Sequence, residues 1–209
     1  MFSKIKNFIC DHFDFKIYGV TWLAILSGIL IIPMVIFLNP QSKIAYENGL
    51  LENIQMLILF IGCWFAIKAE NNKKFFYFVA LLLGIFMIRE VNCGRTLFFA
   101  IPGQENAFYS WKDIKYGYLA HPIFGIYIAW VVVYFFKNKL FLNLWNYIRL
   151  KKIPIWNFCL LALGIYLSLY AEKATENFVF EESSELFLYI VAVGILWLYS
   201  KHKDFVIND

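Results

Sequence analysis

The stretch IYGVTWLAILSGILIIPMVIFL, residues 17–38, contains no charged side chain. An apolar run of about 18 residues or more is long enough, as a helix, to cross the hydrocarbon core of a bilayer. Lipid offers no hydrogen-bond partner to the backbone, so such a run must be helical. This stretch therefore predicts a transmembrane helix, and it decides the fold class.

Five further apolar runs follow it, at 50–68, 75–101, 118–136, 154–171 and 185–200. The composition agrees with six spans, because 61% of the residues are hydrophobic and only 16% are charged, against about half and about a quarter in soluble domains. The sequence thus predicts an all-α polytopic membrane protein in which residues 1–209 form one integral membrane domain. The short connections leave no room for a separate soluble catalytic domain.

The run 75–101 is unusually long for one span. As a straight helix at about 1.5 Å per residue it would measure roughly 40 Å, more than the hydrocarbon core. Either the helix is tilted and continuous, or it breaks near Asn92-Cys93-Gly94 and its last turn lies at the interface. The segment LFLNLWNYIRLKK, residues 140–152, is too short to span, and it suits either an interfacial helix on an anionic leaflet or an ordinary loop helix.

The charged residues predict the orientation. If the N-terminus is cytoplasmic, the inner segments hold 13 of the 19 basic residues, whereas the acidic residues divide ten outside and five inside. That bias is the one that the positive-inside rule describes, so we expect a bacterial-type cytoplasmic (inner) membrane protein with both termini in the cytoplasm. Because the basic charge reports topology, membrane lipids are the expected partners and nucleic acid is not, with a membrane-protein partner or a homo-oligomer as an alternative. The inner basic residues are Lys4, Lys6, Lys16, Lys68, Lys73, Lys74, Lys137, Lys139, Arg149, Lys151, Lys152, Lys201 and Lys203.

An internal repeat emerges when the chain is aligned with itself at an offset of 133 residues. Glu52 then falls on Glu185, Trp64 on Trp197 and Lys68 on Lys201. One interpretation is duplication of a helical hairpin, with copies at 17–68 and 150–201 that superpose by a rotation and place Glu52 and Glu185 at the same depth. The other is that amphipathic rules alone put Trp and Lys at a cytoplasmic interface.

Ionisable residues inside membrane segments are costly unless they are paired or hydrated, so they mark candidate functional positions. All of those found here lie in the predicted outer half. We interpret Glu47, Glu172, Glu176, Glu181 and Glu182 as surface groups near the interface. The remaining polar residues form the candidate site: Glu52 and Gln55 on the second span, Arg89, Glu90, Asn92 and Arg95 on the third, His121 on the fourth and Glu185 on the sixth.

These residue types suit two kinds of chemistry. Glu52, Glu90, Glu185 and His121 are candidate catalytic residues, because carboxylates and imidazole act as general acids and bases. Arg89, Arg95, Gln55 and Asn92 are candidate substrate-binding residues, since guanidinium groups hold phosphates. The arginines could instead pair with the glutamates in a structural ion network, and His121 with two carboxylates could hold a divalent metal. The loop 102–117 resembles a lid or an interfacial anchor.

Three short motifs carry a resemblance: ENGLLE (47–52), REVNCGR (89–95) and EESSEL (181–186). They resemble the E-D-G-x-x-E, E-x-x-x-G-Q-R and E-E-x-x-E-L motifs of a loose group of uncharacterised bacterial polytopic membrane proteins, over about a third of the chain. The chain departs from that pattern at Asn48, at Arg89 and Arg95, and in the following loop. The resemblance implies a six-helix architecture and a joint role for Glu52, Glu90, Arg95 and Glu185, and it implies no activity.

Three functional classes follow from these observations. A membrane-embedded enzyme acting on a lipid or lipid-linked substrate at the outer leaflet would explain a one-sided polar pocket. A non-catalytic membrane subunit or sensor would use the same residues as a structural network. A transporter would need polar residues at the midplane, which inner halves such as LILFIGCWFAI and LYIVAVGILWLY do not supply.

Overall fold

The structure is a computed structural model that describes residues 12–150, 153–202 and 205. Lys4, Lys6, Lys151, Lys152 and Lys203, which enter the charge count above, lie outside the described residues. The helices are α1 Gly19–Phe37, α2 Leu50–Ile67, α3 Lys73–Glu90, α4 Arg95–Phe98, α5 Ala120–Lys137, α6 Leu140–Leu150, α7 Ile155–Ala174 and α8 Phe178–Lys201. Two two-residue strands, β1 Phe13–Asp14 and β2 Ile153–Pro154, pair in parallel before α1 and α7.

The predicted all-α polytopic class is confirmed. In the described part of the chain, five helices are long and apolar enough to cross a membrane, and the bent pair formed by α3 and α4 makes a sixth span if it is counted as one. Many large apolar side chains on these helices are exposed, for example Ile36 and Ile126. Such an exposed apolar surface is what a lipid environment requires, because lipid is as apolar as a protein core.

The helix α8 is the centre of the bundle. It packs extensively against α1, α2 and α7, and half of its 24 residues are buried, whereas Val131 is the one buried residue of α5. Close approach of α2 to α8 depends on Gly62, where a Cβ atom would lie 2.8 Å from Val193 Cγ2 and 2.9 Å from Leu83 Cδ1. Small residues at helix interfaces are the usual means of such packing in membranes.

The two ends of the bundle differ in charge. We name the end with Glu52, Glu90 and Glu185 the acidic end, and the end with Lys68 and Lys201 the basic end. The helices α2 and α8 run parallel between them, because Gln55 contacts Glu182 at the acidic end and Lys201 Nζ donates to the Lys68 carbonyl, at 3.0 Å, at the basic end. Glu52 and Glu185 therefore lie at the same end, as the sequence predicts.

The third apolar run, 75–101, does not form one continuous helix. It breaks near Asn92-Cys93-Gly94, which is the second of the two predicted alternatives. The helix α3 ends at Glu90, a short 3₁₀ turn covers Asn92–Gly94, and α4 leaves at an angle of 55°. Cys93 and Gly94 both have positive φ, at 53° and 88°. Left-handed backbone cannot continue an α-helix, so the chain turns here.

The two proposed hairpin copies differ in packing. The helices α7 and α8 pack along each other over their length, whereas α1 and α2 hardly touch, because α8 lies between them. The expectation that 17–68 superposes on 150–201 is therefore corrected. The physical reason is that α8 packs against both α1 and α2 and separates them, whereas in the second pair α8 is itself one of the two helices.

The segment after α5 is helical, as both interpretations of it predict. The helix α6 is joined to the start of α3 by a 2.7 Å hydrogen bond from Asn143 Nδ2 to Asn72 Oδ1. Tyr147 is buried against Phe75, with ring centroids 5.2 Å apart, while Phe141, Leu142 and Trp145 are exposed. An apolar exposed face suits an interfacial helix, and the interfacial position stays a prediction.

Candidate functional site at the acidic end

Three helix ends bring the predicted site residues together. Glu52 and Gln55 lie one turn apart at the start of α2, and Arg89 and Glu90 are the last two residues of α3. The start of α8 passes beside both, since α8 packs along α2 and its Glu185 is bonded to Arg89 of α3. The side chains of the second, third and sixth spans can therefore meet across the bundle.

Arg89 pairs with Glu185. Their atoms Nη2 and Oε1 are 2.6 Å apart, and the Glu185 side chain is only 8% exposed, against 54% for Arg89. A charge-assisted bond of this length compensates a carboxylate that is withdrawn from water. The expected pairing of an arginine with a site glutamate is thus present, and half of the guanidinium still faces the surroundings.

Glu90 is held by a residue that the sequence analysis did not single out. Tyr189, which is buried, donates from its hydroxyl to Glu90 Oε1 at 2.5 Å. Tyr189 lies four residues after Glu185 on α8 and so shares its face. That spacing is the signal that could have identified it.

Gln55 joins the cluster through Glu182. Its Nε2 donates to the Glu182 backbone carbonyl at 2.8 Å and to Glu182 Oε2 at 2.9 Å. The interpretation of Glu182 as a surface group is therefore wrong, because it is partly buried and bonded to a buried glutamine of the neighbouring helix. The sequence pattern of EESSEL contains no sign of which of its glutamates turns inward.

Glu52 is the most enclosed carboxylate whose bonding is incomplete. Its side chain is buried, and Oε2 accepts from the backbone N–H of Asn48, which itself donates from Nδ2 to the Thr96 carbonyl. Among the described residues its other oxygen, Oε1, has no hydrogen-bond partner, and neither has Gln55 Oε1 or Thr96 Oγ1. Buried polar atoms are almost always satisfied, so three orphaned oxygens within these connected elements need a ligand, a proton or water.

Arg95 and Asn92 belong to a second group. Arg95 Nη2 lies 3.9 Å from Glu47 Oε1, and the guanidinium lies 5.9 Å from the centre of the Phe108 ring. The Asn92 amide faces the same guanidinium, and with its oxygen turned toward Arg95 it accepts from Nη2 at 2.8 Å; such an orientation is assigned from the hydrogen-bond network. The carbonyl of Thr96, bonded to Asn48, connects this group to Glu52.

The loop after α4 folds back over this second group. A short antiparallel bridge joins Ala100 and Phe108, and the Tyr109 N–H donates to the Phe99 carbonyl at 2.9 Å. Its tip is attached to the segment before α2, because Lys43 pairs with Glu105 and the Glu47 N–H donates to Asn106 Oδ1 at 3.1 Å. The described contacts suit a lid, which remains one of the two predicted roles of the loop.

His121 is not joined to the carboxylates by any described contact. It is exposed, and its ring meets the Trp111 ring edge to face at 5.6 Å. Within residues 12–150, 153–202 and 205, no group of three or more His, Cys, Asp or Glu side chains could hold a metal ion. The described residues thus give no support to a metal held by His121 and two carboxylates.

The cluster has more carboxylates than cations. In the described part of the chain, Arg89 bonds to Glu185 and lies within electrostatic range of Glu90, and Glu90 and Glu182 each lie within electrostatic range of Glu52 and Glu185. In a low-dielectric region such an excess favours uptake of a proton or a cationic ligand. The arrangement can therefore exchange protons with a bound molecule.

The fold and this cluster define the class of the protein, a polytopic all-α integral membrane protein with a carboxylate-rich acidic end. No protein-family model, curated protein or solved structure matches the chain. The function is therefore inferred from the residues of the acidic end.

Proposed function

We propose that this integral membrane protein is an enzyme that acts on a lipid or lipid-linked substrate in the leaflet at its acidic end. The charge bias of the sequence makes that leaflet the outer one of a bacterial-type inner membrane. Substrate from the bilayer would reach the helix ends sideways, where Arg89 is half exposed.

One observation carries the proposal, the buried and incompletely bonded carboxylate of Glu52. Its Oε1 is enclosed and meets no hydrogen-bond partner in the part of the chain that the structure describes, in a cluster that already holds three other carboxylates. A purely structural network gains most when each buried polar atom is satisfied. An orphaned carboxylate oxygen suits instead a general acid or base that completes its bonding with the substrate.

The neighbouring residues suit supporting roles. Arg89 uses one of its five N–H donors on Glu185 in the described contacts, so the others can address a phosphate. Arg95 and Asn92 could hold a second polar group of the same head group. Glu90 and Glu185 bond to Tyr189 and Arg89 and so orient them.

The test compares lipids from cells that express the wild type, Glu52→Gln or Glu176→Gln. Glu52→Gln keeps the shape of the side chain and removes its ionisation, and general acid–base catalysis contributes about 10²- to 10⁴-fold. Glu176 is an exposed glutamate of the same end and serves as the matched control. Mass spectrometry of total polar lipids should show one lipid class converted by the wild type and the control, and unconverted with Glu52→Gln at equal folded protein.

Identical lipid profiles for the wild type and Glu52→Gln, with both proteins folded in the membrane, would overturn the enzymatic proposal. Folded protein is measured in the same cells as the monodisperse fraction after detergent extraction.

A second candidate, a non-catalytic subunit or sensor, is favoured by a different observation. Glu90, Glu182 and Glu185 each have a bonding partner inside the bundle, namely Tyr189, Gln55 and Arg89. For such a structural network, substitution of these residues should lower the folded yield and any function together, whereas for the enzyme Glu52→Gln lowers function alone.

A further inference from the structure

A cavity of about 330 Å³ lies at the basic end, away from the carboxylate cluster. It is formed where α2 ends and α3 begins, with one side provided by α5. We name its apolar lining, Ala66, Ile67 and Ala69, the floor, and its polar lining, Lys73, Lys74, Tyr77 and Tyr134, the rim. This volume is in the range of about 300–1,000 Å³ that is typical of small-molecule sites.

Three residues of the rim, Lys73, Lys74 and Tyr77, carry donors that bond to no other side chain of the described residues. Lys73 and Lys74 are exposed, and neither pairs with an acidic side chain in the described part of the chain. Tyr77 is half exposed, and its hydroxyl makes no hydrogen bond to any described residue. Two ammonium groups and a phenol around one cavity are suited to a phosphate.

The position of the cavity indicates whether the phosphate belongs to a lipid head group or is a free anion. Ile67, in the floor, is 61% exposed on a helix that is apolar enough to span the membrane. The apolar floor therefore continues into the lipid-facing surface, while the lysines stand at the end of the span, at the level of lipid head groups. A free phosphate would not contact the apolar floor favourably, whereas a phospholipid has a phosphate for the lysines and an acyl chain for the floor.

We propose that this cavity binds an anionic phospholipid of the leaflet at the basic end. Its phosphate lies between Lys73 and Lys74, Tyr77 donates to the same phosphate, and the start of an acyl chain covers Ala66, Ile67 and Ala69. Basic cavities between transmembrane helices are suited to anionic head groups. The site is independent of the proposed enzymatic function, because the two lie at opposite ends of the bundle.

The bound lipid would also hold α5 in place. This helix is little buried and packs mainly on α3. Near the cavity its contacts are the Tyr134 hydroxyl bond to the Lys74 carbonyl at 3.4 Å and the Tyr77–Tyr134 ring pair at 5.7 Å. A lipid seated between these residues would bridge the α2–α3 turn and α5.

The experiment measures lipid binding to the purified full chain by native mass spectrometry, with phosphatidylglycerol and phosphatidylcholine as probes. The wild type should prefer phosphatidylglycerol, and Lys73→Gln/Lys74→Gln should reduce that affinity by about 25-fold, about fivefold per removed charge. Tyr77→Phe should weaken binding of both lipids by about fivefold, because both carry the phosphate that the phenol addresses. The double lysine variant should lower the affinity for phosphatidylglycerol more than that for zwitterionic phosphatidylcholine, so that the preference between them is lost. Both lysines and Tyr77 are exposed, so these variants should fold.

The matched control is Lys139→Gln/Arg149→Gln, which removes two exposed cations of the same end that do not line the cavity. It should leave the preference for phosphatidylglycerol unchanged. Equal wild-type affinities for the two lipids, or an equal loss of preference in the control, would overturn the proposal. So would displacement of phosphatidylglycerol by inorganic phosphate at equal phosphate concentration, because the site would then belong to the free anion.

Discussion

Arg89 and Arg95 are close in sequence but occupy different environments. Arg89 bonds to a buried carboxylate on another helix at 2.6 Å, and Arg95 lies 3.9 Å from Glu47, whose side chain is 43% exposed. Burial of the partner decides what the loss of each arginine would cost, because a carboxylate in water needs no counter-ion and a buried one does.

Arg89→Ala should therefore destabilise the protein more than Arg95→Ala. Removal of Arg89 leaves Glu185 buried without its partner, at a cost of about 1–3 kcal/mol, which is below the full value for a buried pair because the guanidinium is half exposed. Arg95→Ala should cost less, because the Glu47 carboxylate that it leaves is solvated. Chemical unfolding in detergent measures both, and equal losses would contradict the structure.

At the scale of elements, the break between α3 and α4 shapes the acidic end. It lets Arg89 and Glu90 end one helix beside α8, and it turns Arg95 toward Glu47 and the loop after α4. Gly94 makes this turn at φ 88°, a region that costs an L-residue about 1–2 kcal/mol.

Gly94→Ala should accordingly lower the free energy of unfolding by about 1–2 kcal/mol. A new Cβ would meet Phe98 only at ordinary contact distance, so the backbone conformation and not a clash is the cause. Gly125→Ala, on the exposed surface of α5 with open space around it, is the control. It should leave stability unchanged or raise it by up to about 1 kcal/mol, and the reverse order of the two variants would show that the bend is not as described.

At the scale of the whole molecule, the helices run between an acidic end and a basic end, with α8 at the centre of the bundle and α5 at its periphery. The Arg89–Glu185 pair and the three orphaned oxygens of Glu52, Gln55 and Thr96 lie at one end, and the two cavity lysines, which pair with no acidic side chain of the described residues, lie at the other. The two proposed sites would thus face opposite leaflets, if the chain crosses the membrane as the charge bias predicts.

Reporter fusions test that orientation. A reporter that is active only outside the cytoplasm should be active when it is fused after Lys112, in the loop at the acidic end, and silent when it is fused after Lys139, at the basic end. The positive-inside rule is the physical reason, because basic segments are retained in the cytoplasm. The opposite pattern would exclude the expected topology and would exchange the leaflets of both proposed sites.

The sequence by itself determined the features that depend on local composition. Apolar runs located five spans to within about three residues, but the sixth, predicted to begin at 185, begins at Phe178, because its first two turns carry Glu181 and Glu182. The glutamates and arginines marked the polar end, and the Asn92-Cys93-Gly94 triplet indicated a break as one alternative. These features are readable because hydropathy, charge and turn preference belong to neighbouring residues in the chain.

Only the tertiary structure decided which groups meet. Glu182 and Tyr189 enter the cluster, His121 stays out of it, and α8 rather than a symmetric pair of hairpins forms the core. In a membrane, lipid-facing and buried surfaces are equally apolar, so the hydrophobic pattern does not reveal how each helix is rotated or which helices are neighbours. The rotation of each helix and the identity of its neighbours determine the hydrogen-bond partners. Both depend on packing between residues that are far apart in the sequence.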